Sequence, residues 1–257
     1  MSKLSMGIYA AAFLLCIQAE AQPPTSAAGP DSTDSAASTE ERACGQTEHL
    51  DDSLYCVLAL PQEGAPVDKW LEENGWEVQR GDTELFRIEE GTLLMKNIDA
   101  STVIGKKFDP AIDPDLQPVI RFNMRVEEIP AGADVTTKSM DDAAFRLFIL
   151  FDKGGGFLSP PETIGYVWDS TMDIGEKGRS GRFDQIRYIV IGSGTEELRE
   201  WKCIERNIVD DYIMLFGSDR TPDISAVALK CDSNHSGAVA ASRIQWIRFR
   251  TEGTKHR

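Results

Sequence analysis

Short runs of alternating apolar and polar residues cover most of the chain from residue 84 onward. In IRFNMRV, the residues Ile120, Phe122, Met124 and Val126 fall on one side, and the residues between them fall on the other. A period of two predicts half-buried β-strands. The predicted strands cover residues 84–90, 92–98, 118–128, 144–152, 164–170, 185–193, 200–207, 224–231 and 243–250.

Two short helices are predicted beside these strands. Residues 67–74 follow a proline and stop before a glycine, and residues 208–216 also stop before a glycine. Turn-forming residues separate the strands, among them Asp109-Pro110, Gly154-Gly155-Gly156 and Ser159-Pro160-Pro161. Strands without alternating helices predict an all-β fold, an antiparallel β-sandwich or jelly roll with one or two short helices. We expect residues 44–252 to form this single domain.

The first 43 residues are predicted to lie outside that domain. Residues 1–21 combine Lys3, a short apolar run and the small residues Ala19 and Ala21, which is typical of a secretory signal peptide cleaved after Ala21. Residues 22–43 are rich in Pro, Ser, Thr and Ala, without a large apolar side chain, and predict a disordered linker. No transmembrane segment is predicted after the signal. We expect a periplasmic or secreted protein.

Composition narrows the possible functions. Asp and Glu number 42 against 27 Lys and Arg, so the formal charge is −15, which argues against nucleic-acid binding and electrostatic membrane anchoring. Three His and five Cys exclude the usual structural zinc patterns. No G-x-S-x-G elbow or phosphate-binding glycine loop occurs. We therefore predict no catalytic residue, no metal site and no cofactor. Calcium is the one ion whose binding the sequence leaves open.

Four cysteines remain after the predicted signal peptide, an even number for an oxidising compartment. Four cysteines allow three pairings. Cys44 and Cys56 are close in sequence, and Cys203 and Cys231 each follow a strand-like run. We predict the disulfides Cys44–Cys56 and Cys203–Cys231.

Charged residues within apolar strands are the main candidates for a site. The runs at residues 144–152 and 200–207 are too apolar for edge strands, so we expect their arginines to be at least partly buried. Buried charges require partners, so we expect Asp142, Arg146, Arg206 and Asp211 to meet in one polar network. A strand face that carries arginine with Tyr166 and Trp168 suits sugars, because aromatic rings stack on sugars and charged groups bind hydroxyls. The alternative is that these side chains only pack and pair in the core. We expect Arg146 and Asp142 to stabilise the fold, and Arg206 and Tyr166 to lie nearer a ligand.

Several motifs between residues 70 and 249 resemble a bacterial family known only as domain of unknown function 3047. They are QPVIRFNMRV (117–126), MDDAAFRLFILFD (140–152), GYVWDS (165–170), WKCIERNIVDDYIMLFG (201–217) and ISAVALKCDSNHSG (224–237). The resemblance implies an exported bacterial β-sandwich without an established activity. The positions that match its motifs include Asp141, Glu205 and the candidate ligand-binding residues Asp142, Arg146, Tyr166, Trp168, Arg206, Asn207, Asp211, Tyr212 and Asp232.

The chain also departs from the family pattern. Asn234 and His235 replace an acid and an asparagine in the last turn, which weakens a metal site there. Two tryptophans of the family's strand are Phe122 and Met124 here, which weakens stacking on that strand. Three functions stay open: a non-catalytic protein that binds a glycan or another cell-envelope ligand, a carboxylate-dependent enzyme acting on glycans through a pair such as Asp142 and Asp211, and a protein–protein interaction module of the envelope. We favour the first.

Overall fold

Two β-sheets make up most of the computed structural model, which describes residues 54–59, 63–154 and 160–251. The predicted signal peptide, the linker and Cys44 lie outside these residues. The strands are β1 (Leu54–Leu58), β2 (Glu77–Arg80), β3 (Phe86–Glu89), β4 (Thr92–Ile98), β5 (Ser101–Ile112), β6 (Val119–Glu128), β7 (Ala143–Phe151), β8 (Glu162–Asp169), β9 (Lys177–Arg179), β10 (Ile186–Ser193), β11 (Lys202–Asn207), β12 (Ile224–Asp232) and β13 (Val239–Arg250).

The strands form a sandwich of a six-stranded and a seven-stranded sheet. The six-stranded sheet has the order β11-β6-β13-β4-β3, and β1 pairs with the end of β13. The seven-stranded sheet has the order β2-β5-β12-β7-β8-β10-β9. All pairs are antiparallel except β8 with β10. The predicted all-β sandwich with short helices is therefore confirmed, with one parallel pair in it.

Apolar side chains cover both faces of the seven-stranded sheet. One face, with Leu147 and Ile149, packs against the six-stranded sheet in the main core. The opposite face carries a second apolar cluster that includes Phe148 and Leu150. All nine residues of β7 are consequently buried. This double burial explains why AFRLFILF is apolar along nearly its whole length instead of alternating.

Two predictions about strands are wrong. The run at residues 200–207 looked too apolar for an edge, yet β11 is an edge strand of the six-stranded sheet. Asp109-Pro110 was predicted as a break, but β5 continues through it to Ile112. Its partner β12 shifts register between Ile224 and Ala226 beside that stretch. A proline is tolerated in a strand where the ladder is interrupted, because it has no N–H to donate.

Two α-helices connect the sheets, as predicted. Helix α1 (Val67–Glu73) buries Trp70 against the core. Helix α2 (Ile208–Phe216) follows β11 directly and ends at Gly217, whose φ of 67° is readily adopted by glycine. A 3₁₀ turn covers Thr83–Leu85. Helix α2 matters most for the site, because its first turn carries Asp211.

Candidate functional site

The candidate residues divide between the two faces of the seven-stranded sheet. Arg146 of β7 pairs with Val167 of β8, whereas Leu147 pairs with Tyr166. Paired residues project from the same face, and successive residues project from opposite faces. Arg146 and Tyr166 therefore lie on opposite sides of the sheet. Arg146 lies on the side of the second apolar cluster, and the Tyr166 ring lies in the main core.

A group that we call the buried ion cluster surrounds Arg146. Its guanidinium lies 2.8 Å from an oxygen of Asp141 and 3.6 Å from an oxygen of Asp232. Lys230 Nζ lies 2.8 Å from the other oxygen of Asp232. Arg182 Nε lies 3.5 Å from Asp141. The remaining members are Asp142 and His235, so three cations balance three carboxylates where the protein largely excludes water.

Asp142 holds the turn after β12 in place. Its carboxylate accepts hydrogen bonds from the backbone N–H groups of His235 and Ser236, at 3.1 and 2.7 Å, and lies 3.1 Å from Nδ1 of His235. Nε2 of that ring contacts Arg182. Burial raises the pKa of Asp142, but the hydrogen bonds from Ser236 and His235 outweigh it and leave the pKa below its ordinary value.

This arrangement predicts a pH dependence of stability. The pKa of Asp142 is lower in the folded than in the unfolded chain, where it is about 3.9. The carboxylate therefore contributes fully above that value, and its contribution is lost as the pH falls through the folded-state pKa. We expect the free energy of unfolding of the wild type to fall below about pH 4 more steeply than that of Asp142→Asn. Urea unfolding from pH 7 to pH 2 measures this, and parallel curves would contradict it.

A second cluster, Tyr166, Arg206 and Asp211, lies at the edge between the sheets. Arg206 holds Asp211 with two nitrogens, and its Nε donates at 2.9 Å. The hydroxyl of Tyr166 donates to the same carboxylate at 2.8 Å. Burial and the charge of Asp211 raise the pKa of Tyr166, and the hydrogen bond to Asp211 raises that of Arg206. The Asp211 carboxylate is therefore satisfied by a bidentate ion pair with Arg206 and by a hydrogen bond from the hydroxyl of Tyr166.

Two further candidates, Asn207 and Tyr212, also make contacts that stabilise the fold. The side chain of Asn207 caps α2 by accepting from the backbone N–H groups of Val209 and Asp210. Tyr212 donates its hydroxyl to Glu162, which Lys153 contacts at 2.8 Å. Burial and that carboxylate raise the pKa of Tyr212.

Trp168 does not offer its ring to a ligand. The side chain is 1% exposed, and Nε1 donates to the carbonyl of Gly194 at 3.1 Å. The ring lies over Gly192, where a Cβ would come within 2.3 Å of it. Tyr166 is likewise fully buried. The predicted aromatic strand face is therefore inside the protein.

The predicted single network of Asp142, Arg146, Arg206 and Asp211 is wrong. The first two belong to the buried ion cluster, and the other two belong to the cluster beside α2. The sheet between them is filled by apolar side chains on both faces. Asp142 and Asp211 thus do not flank a shared cleft.

The cysteines depart from both predicted disulfides. Cys203 is disulfide-bonded, whereas Cys56 and Cys231 are free. The physical reason is topological. Cys203 lies on the edge strand of the six-stranded sheet and Cys231 lies in the middle of the seven-stranded one, so the strands that follow one another in sequence are not neighbours. Burial and the charge of Asp232 raise the pKa of the Cys231 thiol.

Thiol labelling should separate these cysteines. With iodoacetamide at pH 8 we expect Cys56 to react in the native protein, because it is exposed. Cys231 should react only after unfolding, because it is buried and a thiolate is the reactive form. Cys203 should react only after reduction. Mass spectrometry of the labelled peptides reads the three outcomes, and native labelling of Cys231 would contradict the burial.

The outer side of the six-stranded sheet carries a mixture of charged, amide and aromatic side chains. The side chains of β6 that do not enter the core point away from it. A register shift between Ile244 and Trp246 of β13 turns the side chain of Trp246 to the same side. We call this surface the arginine face. It comprises Arg121, Asn123, Arg125, Trp201, Cys203, Glu205, Arg243, Gln245, Trp246, Arg248 and Arg250.

Arginines cover indole rings on this face. Arg125 lies 5.0 Å from the ring centroid of Trp201, and Arg248 lies 4.6 Å from that of Trp246. Such cation–π contacts place a guanidinium group over a flat aromatic surface. Asn123 donates to Gln245 at 2.5 Å between them. The face therefore offers donors, amides and an aromatic surface together.

Glutamates orient the arginines. Glu205 contacts Arg121 and Arg250, at 3.1 and 2.9 Å. Glu127 contacts Arg125 and Arg243, at 2.7 and 2.9 Å. Glu89 and Glu90 also contact Arg243, at 3.1 and 3.9 Å, and Glu90 lies 3.8 Å from Arg125. Four glutamates therefore accompany the five arginines of the face.

A family model described as "Protein of unknown function (DUF3047)" matches residues 68–248. The chain belongs to this family.

No curated protein matches the sequence. A cellulase derived from Cel12A of Rhodothermus marinus is 11% identical with a TM-score of 0.44, over 77% of this chain and 99% of that one. A family 11 carbohydrate-binding module of Clostridium thermocellum is 11% identical with a TM-score of 0.32, over 71% and 86%. The Emp46p carbohydrate recognition domain is 13% identical with a TM-score of 0.35, over 76% and 95%.

Most of the residues named above as matching DUF3047 motifs lie in the buried clusters, whereas Glu205 lies on the arginine face. Asp141, Asp142 and Asp232 belong to the buried ion cluster, and Arg206 and Asp211 belong to the cluster beside α2. In the described part of the chain, no three His, Cys, Asp or Glu side chains are grouped to hold a metal ion. Among the same residues, no helix is long and apolar enough to cross a bilayer.

Sequence reasoning missed most of the arginine face in this DUF3047 protein. The alternation of Arg121, Asn123 and Arg125 placed those three on one side of a strand. Trp201 and Trp246 gave no comparable signal, because the neighbours of a strand in a sheet are not visible from its own pattern. The run RIQWIRFR carried a hint, since three arginines with a tryptophan are unusual on a buried strand.

Proposed function

We propose that this protein is an exported, non-catalytic binding protein that holds a glycan or another cell-envelope ligand on the arginine face. The observation that carries the proposal is the pairing of guanidinium groups with indole rings on the outer face of one sheet. Export is supported by the leader features of residues 1–21 and by a disulfide-bonded Cys203, since disulfides persist in oxidising compartments.

The chemistry of the face suits sugars. A guanidinium presents a planar fork of donors that matches carboxylates and paired hydroxyls. An indole presents an apolar plane for the C–H face of a pyranose, as aromatic side chains do in mixed polar and apolar sites. Trp201 is half-buried and so retains accessible surface, whereas Trp246 is 2% exposed and supports Arg248 from beneath.

Positive charge on the face favours acidic sugars over neutral ones. The five arginines outnumber the four glutamates that contact them, Glu89, Glu90, Glu127 and Glu205, in a chain that is otherwise strongly acidic. A local surplus of donors with positive charge favours an anionic ligand over a neutral one. Uronic or sulfated glycans therefore fit the face better than unsubstituted ones.

The non-catalytic part of the proposal rests on the carboxylates. A glycosidase needs two carboxylates about 5–10 Å apart across an accessible cleft. Asp142 and Asp211 belong to different clusters, and hydrogen bonds or ion pairs hold both. Glu127 and Glu205 on the arginine face are likewise held by two arginines each.

A glycan array tests the proposal. The chain from Gln22 onward is screened against neutral, uronic and sulfated glycans, and the best binder is then incubated with the protein to look for cleavage. We expect binding to an acidic glycan without cleavage. Trp201→Ala should weaken it about tenfold, the size of a lost stacking contact, and Arg179→Ala on the exposed edge strand β9 is the control. Binding to no glycan, or cleavage of one, would contradict the proposal.

A further inference from the structure

Glu90 lies in the turn between β3 and β4, at the rim of the arginine face. The turn consists of Glu90 and Gly91, because Glu89 and Thr92 on either side of it pair directly. Both turn residues have a positive φ, 55° for Glu90 and 66° for Gly91. Such a turn favours glycine, asparagine or aspartate, so the glutamate is kept there at a cost in backbone energy. What a glycine would lack is the side chain of Glu90, which is 62% exposed.

Arg243 is the firmly held arginine of this rim. Its Nε donates to Glu127 at 2.9 Å, and its Nη2 donates to Glu89 at 3.1 Å. Its Nη1 donates to the hydroxyl of Thr92 at 3.2 Å. Every nitrogen of this guanidinium thus has an acceptor within the fold, and the side chain is only 11% exposed.

Arg125 pairs with Arg243 across β6 and β13, but its guanidinium is held at one edge only. Its Nε donates to the same oxygen of Glu127 at 2.7 Å. Its Nη2 lies 3.8 Å from Glu90, which is too far for a hydrogen bond. The guanidinium lies over Trp201, 5.0 Å from the ring centroid. The Nη edge of Arg125 is therefore the loosely held part of the rim, and 21% of the side chain is exposed.

We propose that the Nη edge of Arg125, beside Trp201, is the subsite for the acid group of the ligand, and that Glu90 is the counter-ion that this group displaces. The inference rests on the proposed function for the identity of the ligand as a glycan. The group is a carboxylate or a sulfate ester on a sugar ring. Glu90 then determines specificity, because only a group that holds Arg125 more firmly than Glu90 does takes its place.

Displacement explains how an acid group binds beside glutamates. At this rim two arginines face three glutamates, which are Glu89, Glu90 and Glu127. An added anion would therefore meet a local excess of negative charge. Replacing Glu90 leaves the local charge unchanged, and it exchanges a loose, exposed ion pair for two hydrogen bonds from one guanidinium.

Glu127 keeps the subsite in place when Glu90 leaves. One of its oxygens accepts from Nε of both arginines, and its side chain is 17% exposed. Because the guanidinium is a rigid plane, holding Nε of Arg125 also sets the position of its Nη groups. The acid group therefore meets a fork of donors that is already oriented before the ligand arrives.

Titration with acidic and neutral monosaccharides tests the subsite. The indole N–H signal of Trp201 is followed while the ¹⁵N-labelled protein receives methyl β-glucuronide, glucose 6-sulfate or methyl β-glucoside. We expect at least one of the two acids to bind about threefold tighter or more than the neutral sugar. The acid that binds tighter identifies the group as a carboxylate or a sulfate. Equal association constants for all three sugars would overturn the proposal.

Glu90→Gln tests the displacement. The variant removes the competing carboxylate, so the association constant for the tighter acid should rise about threefold, the size of an exposed ion pair. The constant for methyl β-glucoside should not change. Glu72→Gln makes the same change of net charge at an exposed position of α1 and is the control. An equal gain in both variants, or no gain in Glu90→Gln, would overturn the displacement.

Arg125→Lys tests the fork of donors. Lysine keeps the charge but cannot hold an acid group with two nitrogens, so the association constant for the tighter acid should fall about tenfold. The constant for methyl β-glucoside should stay the same. A fall of equal size for both sugars would overturn the assignment of Arg125 to the acid group.

The glycan found on the array separates this proposal from the proposed function. If that glycan is acidic and binds the wild type and Glu90→Gln equally well, the subsite is rejected and the proposed function stands. If no glycan on the array binds but the monosaccharide titrations give the expected results, the proposed function is rejected and the acid subsite stands.

Discussion

Replacing Arg146 with alanine should lower the free energy of unfolding by about 3–5 kcal/mol. The guanidinium is 1% exposed and contacts Asp141 and Asp232, so its removal leaves two buried carboxylates with less compensation. For a folded domain of this size the midpoint of thermal unfolding should fall by about 6–20 °C. Urea denaturation with a two-state fit measures the change.

Two further variants show whether charge pairing is the cause. Arg179→Ala removes an exposed arginine that contacts the exposed Asp184, and should change stability by less than about 0.5 kcal/mol. Combining Arg146→Met with Asp141→Asn should cost less than the sum of the single changes, because the double variant removes both partners. A loss below about 1 kcal/mol for Arg146→Ala would mean that the buried ion cluster does not hold the fold.

Arg206→Ala should lower the free energy of unfolding by about 2–4 kcal/mol, because it leaves Asp211 paired only with Tyr166. A third of the Arg206 side chain is exposed, so water screens part of the interaction and the loss should be smaller than at Arg146. Arg206→Lys should not restore stability, because lysine cannot hold a carboxylate with two nitrogens.

Glycan binding of the same variants decides between the two roles expected for Arg206. Because Arg206 faces Tyr166 and not the arginine face, binding should fall only as far as the variant unfolds. Titration of the array hit at a temperature where Arg206→Ala is folded measures this. A binding loss at full folding would place the ligand beside α2, as the sequence alone suggested.

The strand pattern predicted the sandwich well but not which side chains face solvent. A period of two separates the faces of a strand, and it says nothing about what covers each face. Tyr166 and Trp168 lie in a sheet that is covered on both sides, so their alternation with other residues does not mark an accessible face. The buried charges were predictable in kind, since an arginine inside AFRLFILF requires acids nearby.

Long-range pairing could not be predicted from local pattern. Cys203 and Cys231 belong to different sheets, and the register shift beside Trp246 reverses the side on which the following arginines lie. Such a shift changes no residue type, and its trace in the sequence of β13 is the spacing of three residues between Ile244 and Ile247, where a regular strand has two. The arginine face is assembled from three strands distant in the chain, and only the topology shows it.

The central claim is that a glycan binds on the arginine face, and the indole N–H signals of the five tryptophans test it most directly. The protein is labelled with ¹⁵N, each indole signal is assigned by a Trp→Phe variant, and the glycan with the highest array signal is titrated in. Our account predicts that the signal of the half-buried Trp201 shifts with the glycan concentration, while those of the buried Trp76 and Trp168 stay in place. Shifts at Trp168 with an unmoved Trp201 would contradict it.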